Sequence, residues 1–365
     1  MRIATYNAEN LFSRPKVMLY DSWEDGRQVL EDYAEMSSLI QRDSYDAATK
    51  SRLLTLVQRH VKGPVPPGGR RIKLNEVREK LVTASGQNMR IKPNGRGDWV
   101  GWFELVRDDI KGVEVVNTGR VIDAVRPDVL CLVEVENRPS LVRFNEQVLR
   151  HEFQFVFNHQ ILVDGNDDRG IDISLMSQWP ILGVRSYTDV PRPGIHEPVF
   201  SRDCPEYQVG LPNGELLIVL GNHFKSQGYG NQAANDAKRR DQAAAVAQIY
   251  QSALQRTNLV VVAGDLNAGP DHASLAPLIQ GTDLRDVMTH PTYQGLPGTY
   301  GTATNESRQK LDYLLLSPAL WALVQGVDVE RRGVYAPNTF PHFPEVTSKT
   351  TQASDHACVW VDVNL

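Results

Sequence analysis

The chain has 365 residues, 41% hydrophobic and 23% charged, a composition typical of a folded globular protein with a sizeable core. A formal net charge of -5 excludes a uniformly basic polyanion binder, so any attraction to nucleic acid must come from a local patch. Three cysteines without a CxxC pair argue against a disulfide framework and a cysteine zinc site. The absence of a long apolar run and of a signal-peptide pattern predicts no membrane partner and a cytoplasmic location.

Short apolar runs bounded by Gly, Pro, Asn or Asp are typical of buried strands. In chain order these runs are residues 2–7, 128–135, 172–177, 216–224, 258–266, 310–317 and 357–363. Because they are nearly continuous in Val, Leu and Ile, both faces of each strand should be covered. Asn213 and Gly214 predict a tight hairpin turn between two extended segments.

Helical segments lie between these strands. Asn117 or Thr118 is expected to cap a helix that ends near Val125, and residues 232–256 form a long amphipathic helix. Strands and helices mix along the chain without strict alternation. This pattern predicts an α/β protein with two packed β-sheets flanked by helices.

Residues 14–112 interrupt this pattern, and we interpret them as a large N-terminal insertion within a single domain that spans residues 1–365. A polar helical stretch covers about 24–60. A Pro- and Gly-rich breaker follows at 63–69, and the segment 97–105 is extended.

Residues 61–96 of the insertion contain nine basic and two acidic residues. The basic residues are Lys62, Arg70, Arg71, Lys73, Arg78, Lys80, Arg90, Lys92 and Arg96. They form either a solvated charged face or a contact surface for a phosphate backbone. Trp99, Trp102 and Phe103 follow, and they form either a small core in the insertion or a platform for nucleic-acid bases.

The most informative feature is a set of polar residues at the ends of the apolar strands. They are Asn7, Glu134, His223, Asp265, Asn267, Asp355 and His356, with Asp312 inside a further strand. Buried carboxylates are costly unless they are paired or bind a metal. Strand ends at one edge of a sheet can converge on a cleft, so the set predicts a common site.

Cleavage of a phosphate ester needs carboxylate, amide and imidazole side chains such as these. A hard cation such as Mg²⁺, held by Asp, Glu and Asn oxygens, neutralises the phosphate. A base deprotonates water, and a cationic imidazole stabilises the charge that develops. The chain lacks GxxxxGK[ST], HExxH and GxSxG, so P-loop, zinc peptidase and serine hydrolase chemistry have no support.

The ordered motifs TYNAENLF, PDVLCLVEVEN, RGIDISLMS, GNHFKSQ, GDLNAGP, LDYLLLS and SDHACVW resemble the endonuclease/exonuclease/phosphatase superfamily, whose members include deoxyribonuclease-like metal-dependent phosphoesterases. The resemblance covers residues 1–13 and about 113–365. It implies a four-layer α/β sandwich and dependence on Mg²⁺ or Mn²⁺.

By this resemblance Asn7 and Glu134 hold the metal, and Asp355 lies close to it or behind the SDH histidine. His356 contacts the scissile phosphate, and Asp265 orients or deprotonates the attacking water. The resemblance also places Asn267 beside the phosphate and implies that Asp312 orients His356. It implies that His223 acts as an acid or contacts the phosphate. Whether Asp312 or Asp355 orients His356 stays open at this point. A histidine at 223 also argues against a dedicated abasic-site enzyme.

Three cations are expected to bind substrate: Arg169, from its position in the resemblance, with Lys225 and Arg308, from charge and position. The leading hypothesis is a nuclease or phosphodiesterase that acts on DNA or RNA, with segment 61–96 as a contact. The alternative is a phosphatase or phosphodiesterase of a small phosphorylated molecule or lipid headgroup. A binding protein without activity has less support, because each core motif keeps its reactive residue. The oligomeric state is not predicted.

Overall fold

The structure is a computed structural model that describes residues 1–11, 17, 23–66, 69–83, 88–107, 112–167, 169–227, 231–301, 309–337 and 340–365. The chain forms two compact units, one made of Met1–Phe12 with Ile110–Leu365 and the other of Ser13–Asp109. The second unit lies close to the limits predicted for the insertion at 14–112. That it is an insertion within one catalytic domain stays a prediction.

The larger unit is built on two six-stranded sheets, whose strands are numbered here in chain order. From edge to edge, the first sheet contains β15 (Val324–Glu330), β16 (Cys358–Val363), β1 (Arg2–Leu11), β6 (Val129–Val135), β8 (Asp172–Ser177) and β7 (His159–Leu162). The second contains β13 (Arg285–Asp286), β14 (Asp312–Leu316), β12 (Leu259–Asp265), β11 (Leu216–His223), β10 (Glu206–Gly210) and β9 (Ile181–Arg185). Every predicted apolar run forms a strand.

The helices of this unit are α3 (Val113–Val125), α4 (Arg138–Arg143), α5 (His151–Phe153), α6 (Gln232–Leu254), α7 (Ala276–Ile279) and α8 (Pro318–Trp321). A π-helical segment, Phe144–Arg150, joins α4 to α5, and short 3-10 turns cover Ala273–Leu275 and Val287–Thr289. Within the described part of the chain, no helix has the length and apolarity needed to cross a membrane.

The core lies between the two sheets and on both outer faces. Val133 of β6 and Val219 of β11 belong to the cluster between the sheets. Ile122 of α3 packs in a second cluster on the outer face of the first sheet, and Val246 of α6 packs in a third on the outer face of the second. The order of layers is helix, sheet, sheet, helix, so the predicted four-layer α/β sandwich is confirmed.

The predicted start of helix α3 was wrong. The helix begins at Val113, one turn before the predicted caps, and both Asn117 and Thr118 are buried inside it. The Asn117 amide donates to the Thr351 carbonyl over 2.6 Å, and the Thr118 hydroxyl donates to the Ala353 carbonyl over 2.8 Å. These residues therefore tie the helix to a distant segment, a use that local capping preferences do not reveal. The end near Val125 is as predicted.

The smaller unit contains α1 (Trp23–Leu39), α2 (Ala47–Val57), β2 (Ile72–Arg78), β3 (Val82–Thr83), β4 (Arg90–Ile91) and β5 (Val100–Leu105). The helical stretch predicted over 24–60 is thus two helices, the second extended by a π-helical turn, Gln58–Lys62. Trp99 and Phe103 are buried in the unit's own core, and the Trp99 indole donates to the Tyr45 hydroxyl over 3.0 Å. Of the three aromatic residues, Trp102 remains 47% exposed.

Several cations of segment 61–96 form ion pairs inside the same unit. Lys73 lies 3.1 Å from Glu104, and Lys80 lies 3.1 Å from Glu76. The Lys92 ammonium lies 2.6 Å from a Glu79 carboxylate oxygen. These pairs reduce the charge that the segment can offer to an anionic partner.

Candidate active site

The predicted site residues come from strand ends that meet at one edge of the sandwich. Strand β1 runs parallel to β6, and β11 runs parallel to β12, with His223 opposite Asp265. Strand β14 is antiparallel to β12, which places Asp312 opposite Asp265. Asp312 is therefore the first residue of its strand, and the expectation that it lies inside the strand was wrong.

Asn7 and Glu134 lie at a distortion shared by the neighbouring strands β1 and β6. The pairing register shifts after Asn7, and it shifts again on the other side around Glu134. Glu134 has a φ of 65°, and Glu9 has a φ of 45°. Residues other than glycine rarely adopt this left-handed backbone region. Backbone strain of this kind persists where the surrounding structure holds a functional residue in place. Strand β1 continues to Leu11, so Asn7 does not end it.

The Asn7 amide joins the carboxylates of the two sheets. Its Nδ2 donates to Glu134 Oε1 over 3.2 Å and to Asp265 Oδ2 over 3.3 Å. Its Oδ1 accepts the backbone N–H of Glu9 over 3.0 Å. The carboxylates of Glu134 and Asp265 therefore both contact the side-chain amide of Asn7.

Asp265 is buried at the end of β12 and is held by Asn267. Its Oδ1 accepts the Asn267 backbone N–H over 2.8 Å, and its Oδ2 accepts the Asn267 side-chain amide over 3.1 Å. Burial raises the pKa of Asp265 to about 7, although nearby His356 opposes this shift. A carboxyl group with a pKa near neutrality is suited to accept a proton during a reaction.

His356 and Asp312 form a buried pair. The Nδ1 of His356 lies 2.8 Å from Asp312 Oδ2, and the same oxygen accepts the Thr299 hydroxyl over 2.7 Å. Burial opposes a charge on His356, but the Asp312 carboxylate and then Asp265 raise its pKa to about 10. The imidazole is therefore a cation at neutral pH, and its Nε2 lies 3.9 Å from Asp265 Oδ2.

His223 has the opposite electrostatic character. Its Nε2 lies 3.8 Å from both Glu134 Oε1 and Asp265 Oδ2, and its buried Nδ1 has no partner among the described residues. Burial, and then the nearby Arg202 guanidinium, hold the pKa of His223 well below its ordinary value. The two histidines thus differ in charge at neutral pH although they face the same carboxylate.

Asp355 lies at the exposed side of the site, with its side chain 33% accessible. One of its carboxylate oxygens is 3.8 Å from His356 Nε2, and its backbone N–H donates to Glu9 over 2.8 Å. Between the two carboxylates considered from sequence, Asp312 is the one that holds His356 through Nδ1. A metal-binding role for Asp355 stays a prediction.

The predicted substrate-binding cations have different surroundings. Arg169 is exposed and donates through Nε to Asp167 over 2.9 Å. Lys225 follows His223 by two residues, and its pKa is lowered by burial and then by Arg202. Arg308 lies outside the described residues.

Arg202 was missed in the sequence analysis. Its guanidinium is buried, with Nε 3.0 Å from Asp167 Oδ2 and Nη1 3.3 Å from the Phe224 carbonyl. Burial lowers its pKa, and the Asp167, Glu134 and Asp265 carboxylates oppose that effect. Arg202 is a buried cation that interacts electrostatically with Glu134 and Asp265. It is therefore in a suitable position to bind an anionic substrate. A lone Arg in a loop has no sequence pattern that distinguishes it from a surface Arg.

The donor set fits a hard divalent cation. Glu134 and Asp265 supply carboxylate oxygens around Asn7, and no cysteine lies among these groups. Oxygen ligands of this kind suit Mg²⁺ and Mn²⁺ better than soft metals. Asp265, Asp312 and His356 also present ligand atoms within 4.8 Å of one another. The contact between His356 Nδ1 and Asp312 already accounts for part of that cluster.

A sequence profile described as the Endonuclease/Exonuclease/phosphatase family matches residues 95–356. The match covers well over half of the chain, so the chain belongs to this family, as the motifs predicted. The family name covers hydrolases of phosphate esters. No curated protein matches the sequence closely enough to count as a relative.

Several solved structures match the chain at low identity. An endonuclease/exonuclease/phosphatase from Beutenbergia cavernae DSM 12333 is 20% identical, with a TM-score of 0.47, over 69% of this chain and 66% of that chain. The human Nocturnin catalytic domain with bound sulfate is 16% identical, with a TM-score of 0.46, over 68% of this chain and 86% of that chain. A mannosyl-6-phosphatase from Bacteroides thetaiotaomicron VPI-5482 is 16% identical, with a TM-score of 0.48, over 69% of this chain and 91% of that chain. Likeness at this level carries no argument about the substrate of this chain.

Proposed function

We propose that this protein is a divalent-cation-dependent phosphodiesterase that hydrolyses DNA or RNA. The observation that carries the hydrolytic part is the arrangement around Asp265: the Nε2 atoms of a cationic His356 and a neutral His223 lie 3.9 and 3.8 Å from the same carboxylate oxygen, Oδ2. A carboxylate with two imidazoles of opposite charge state supplies a base, a donor and a fixed positive charge within one small space.

Asn7 and Glu134 would hold the cation, as Mg²⁺ or Mn²⁺. When bound, the cation neutralises phosphate charge and polarises the phosphoryl group. Its effect on Glu134 and Asp265 is also favourable, because two converging carboxylates repel each other without it.

The chain's own residues then bind and activate the reactants. Asp265, held by Asn267, orients a water molecule and takes its proton. His356, fixed by Asp312, donates from Nε2 to a phosphate oxygen, and its positive charge stabilises the transition state. His223, neutral, donates one N–H to the phosphate or to the leaving oxygen.

The nucleic-acid part of the proposal rests on charge. Arg202 and Arg169 lie near enough to lower the pKa of His223, and Lys225 follows His223 by two residues, so the three provide cations for a phosphate. Arg78 and Arg90 of segment 61–96 have no ion pair among the described residues, so they are available to a phosphate backbone.

A second candidate is hydrolysis of a small phosphorylated molecule or a lipid headgroup. Lys73, Lys80 and Lys92 form ion pairs within the smaller unit. These pairs favour the second candidate, because they neutralise positive charge that would otherwise attract nucleic acid.

A panel assay tests the proposal. Plasmid DNA, single-stranded DNA, RNA and a set of phosphate esters are incubated with the full-length chain and Mg²⁺ or Mn²⁺, with Asp265→Asn as the control. Hydrolysis of nucleic acid by the wild type and its loss in the variant support the proposal. Turnover confined to small esters selects the second candidate. No turnover of any substrate leaves a binding protein of the same fold.

A further inference from the structure

Strands β2 and β5 of the smaller unit form a two-stranded sheet that packs one face against the core of that unit. Ile72 of β2 and Phe103 of β5 are buried on this inner face. Because the side chains of a strand alternate between its faces, Trp102 lies on the outer face, where it is paired with Asn75 of β2. Trp102 is 47% exposed. It is therefore a large aromatic residue of the sheet that the core of the unit does not use.

The backbone that carries Trp102 is fixed from the inner side. A side chain at Gly101 would overlap the ring of Trp99, so this ring packs directly against the strand next to Trp102. The Gly101 carbonyl also accepts Nη1 of Arg96 over 2.9 Å. Trp99 is itself buried and bonded to the Tyr45 hydroxyl. An aromatic ring on a backbone that is already ordered loses less conformational freedom when it binds a partner.

A cation lies on the same outer face. The register of β2 shifts by one residue between Glu76 and Arg78, so Val77 and Arg78 together lie opposite Val100 of β5. Val100 precedes Trp102 by two residues, which makes Arg78 a diagonal neighbour of Trp102. Residues in this relation lie about 7–8 Å apart, within reach of long and aromatic side chains. Val77 is 68% exposed, and Arg78 is exposed without an ion pair among the described residues.

The other charges of the outer face cancel. Lys73 lies opposite Glu104, with its ammonium group 3.1 Å from the carboxylate, and the Asn75 amide donates to the same carboxylate over 2.8 Å. Arg78 therefore gives the face a net positive charge, within a segment of nine basic and two acidic residues. An exposed ring beside a free cation complements a nucleobase with its phosphate. An apolar protein surface would instead bury the Arg78 charge without a partner, which is costly.

We propose that the outer face of β2 and β5 binds unpaired nucleic acid, with a base stacked on the Trp102 indole and a neighbouring phosphate on the Arg78 guanidinium. We call this surface the Trp102 platform. It rests on the proposed function for its partner and narrows that function to nucleic acid with unpaired bases, because neighbouring base pairs cover the faces of a base in a duplex. Every base has a flat π face, so the platform tolerates any sequence. The planar guanidinium suits phosphate oxygens.

The test separates stacking of a base from attraction of a phosphate. Two labelled single-stranded probes of equal length and charge are compared, oligothymidylate and the same oligomer with every base removed. Fluorescence anisotropy measures their binding to the full-length chain in EDTA, which prevents metal-dependent hydrolysis. The wild type is expected to bind oligothymidylate about fivefold or more tightly than the abasic oligomer, the lower end of the contribution of one base stacked on an aromatic side chain.

Variants of the platform distinguish a π face from apolar bulk. Trp102→Ala and Trp102→Leu are expected to bind the two probes equally, whereas Trp102→Phe should retain part of the preference because it keeps a ring. Arg78→Ala should weaken the binding of both probes by the same factor, since it removes only a phosphate contact. Leu182→Ala is the matched control, because Leu182 is an apolar residue of strand β9 that is 66% exposed, and its preference should equal that of the wild type.

The platform and the proposed function can fail separately. Equal affinity of the wild type for both probes overturns the platform, and so does a preference that Trp102→Leu keeps in full. Hydrolysis of the same oligothymidylate with Mg²⁺ or Mn²⁺ is measured in parallel. Cleavage without a base preference in binding removes the platform and keeps the proposed function. A base preference that depends on Trp102, without cleavage of any nucleic acid, keeps the platform and removes the proposed function.

Discussion

The Nδ1 of His356 lies 2.8 Å from Oδ2 of Asp312, and both side chains are buried. This contact fixes the ring so that Nε2 points toward Asp265, 3.9 Å away. It also sets the charge of the ring, because the Asp312 carboxylate opposes the effect of burial. Asp312 therefore acts as a positioning residue for His356, the residue that the proposed mechanism assigns to the phosphate.

Replacing Asp312 with Asn is expected to lower kcat by at least about a hundredfold, the scale of a lost acid–base or charge-stabilising group. The amide cannot stabilise the cationic ring, so the pH at which activity falls on the alkaline side should move down. Rates across a pH series measure both effects. Asp328→Asn, at an exposed position of β15, is the control and should match the wild type. A variant with normal turnover and an unchanged pH profile would contradict the role of Asp312.

Removal of the divalent cation is expected to abolish hydrolysis. In the proposed function Glu134 and Asn7 would hold the cation, and the three cysteines of the chain, all buried, are not part of this group. Titration of Mg²⁺ or Mn²⁺ into EDTA-treated protein should restore activity, and Glu134→Gln should need a higher metal concentration. Glu136→Gln is the matched control two residues along the chain. Full activity after dialysis against EDTA would exclude a metal-dependent reaction.

The stability of the metal-free protein is expected to depend on the charge of His356. Its pKa of about 10 in the folded chain lies above the ordinary value of 6.5, so the folded chain keeps a proton that the unfolded chain releases. This contribution is fully present below about pH 6.5 and is lost as pH rises through about 10. Thermal unfolding in EDTA from pH 6 to 10 measures it.

His356→Gln removes the titrating ring and provides the comparison. The difference in melting temperature between the wild type and this variant should shrink or reverse as pH rises. A difference that is constant over the whole range would show that His356 is not charged in the folded protein.

The basic segment 61–96 is expected to contact the phosphate backbone through Arg78 and Arg90, which have no acidic partner among the described residues. Arg78→Ala with Arg90→Ala should reduce the slope of log binding constant against log salt by roughly 1.8, since each duplex contact contributes roughly 0.9. Lys80→Ala with Lys92→Ala is the matched control, because these ammonium groups are already paired with Glu76 and Glu79. Fluorescence anisotropy of labelled duplex DNA gives both slopes. Equal slopes in the wild type and both double variants would favour the small-substrate candidate.

The positions of the principal strands, and the candidate site residues at their ends, follow from the sequence by itself. Apolar runs with polar residues at their ends are local patterns, and residues such as Asp265 and His356 carry the family motifs in order. The helix predicted to start at Asn117 shows the limit of such patterns, because that residue bonds to the Thr351 carbonyl, 234 positions away. Capping preferences describe only the nearest few residues.

Only the tertiary structure decided how the site is arranged. The choice of Asp312 as the partner of His356 depends on a contact between residues 44 positions apart. The left-handed backbone of Glu134 depends on the strands that flank it, and the burial of Arg202 depends on a fold that brings Asp167 beside it. Charge state, strain and desolvation come from the surroundings of a side chain. Those surroundings are set by packing between distant segments, which no local pattern in the sequence encodes.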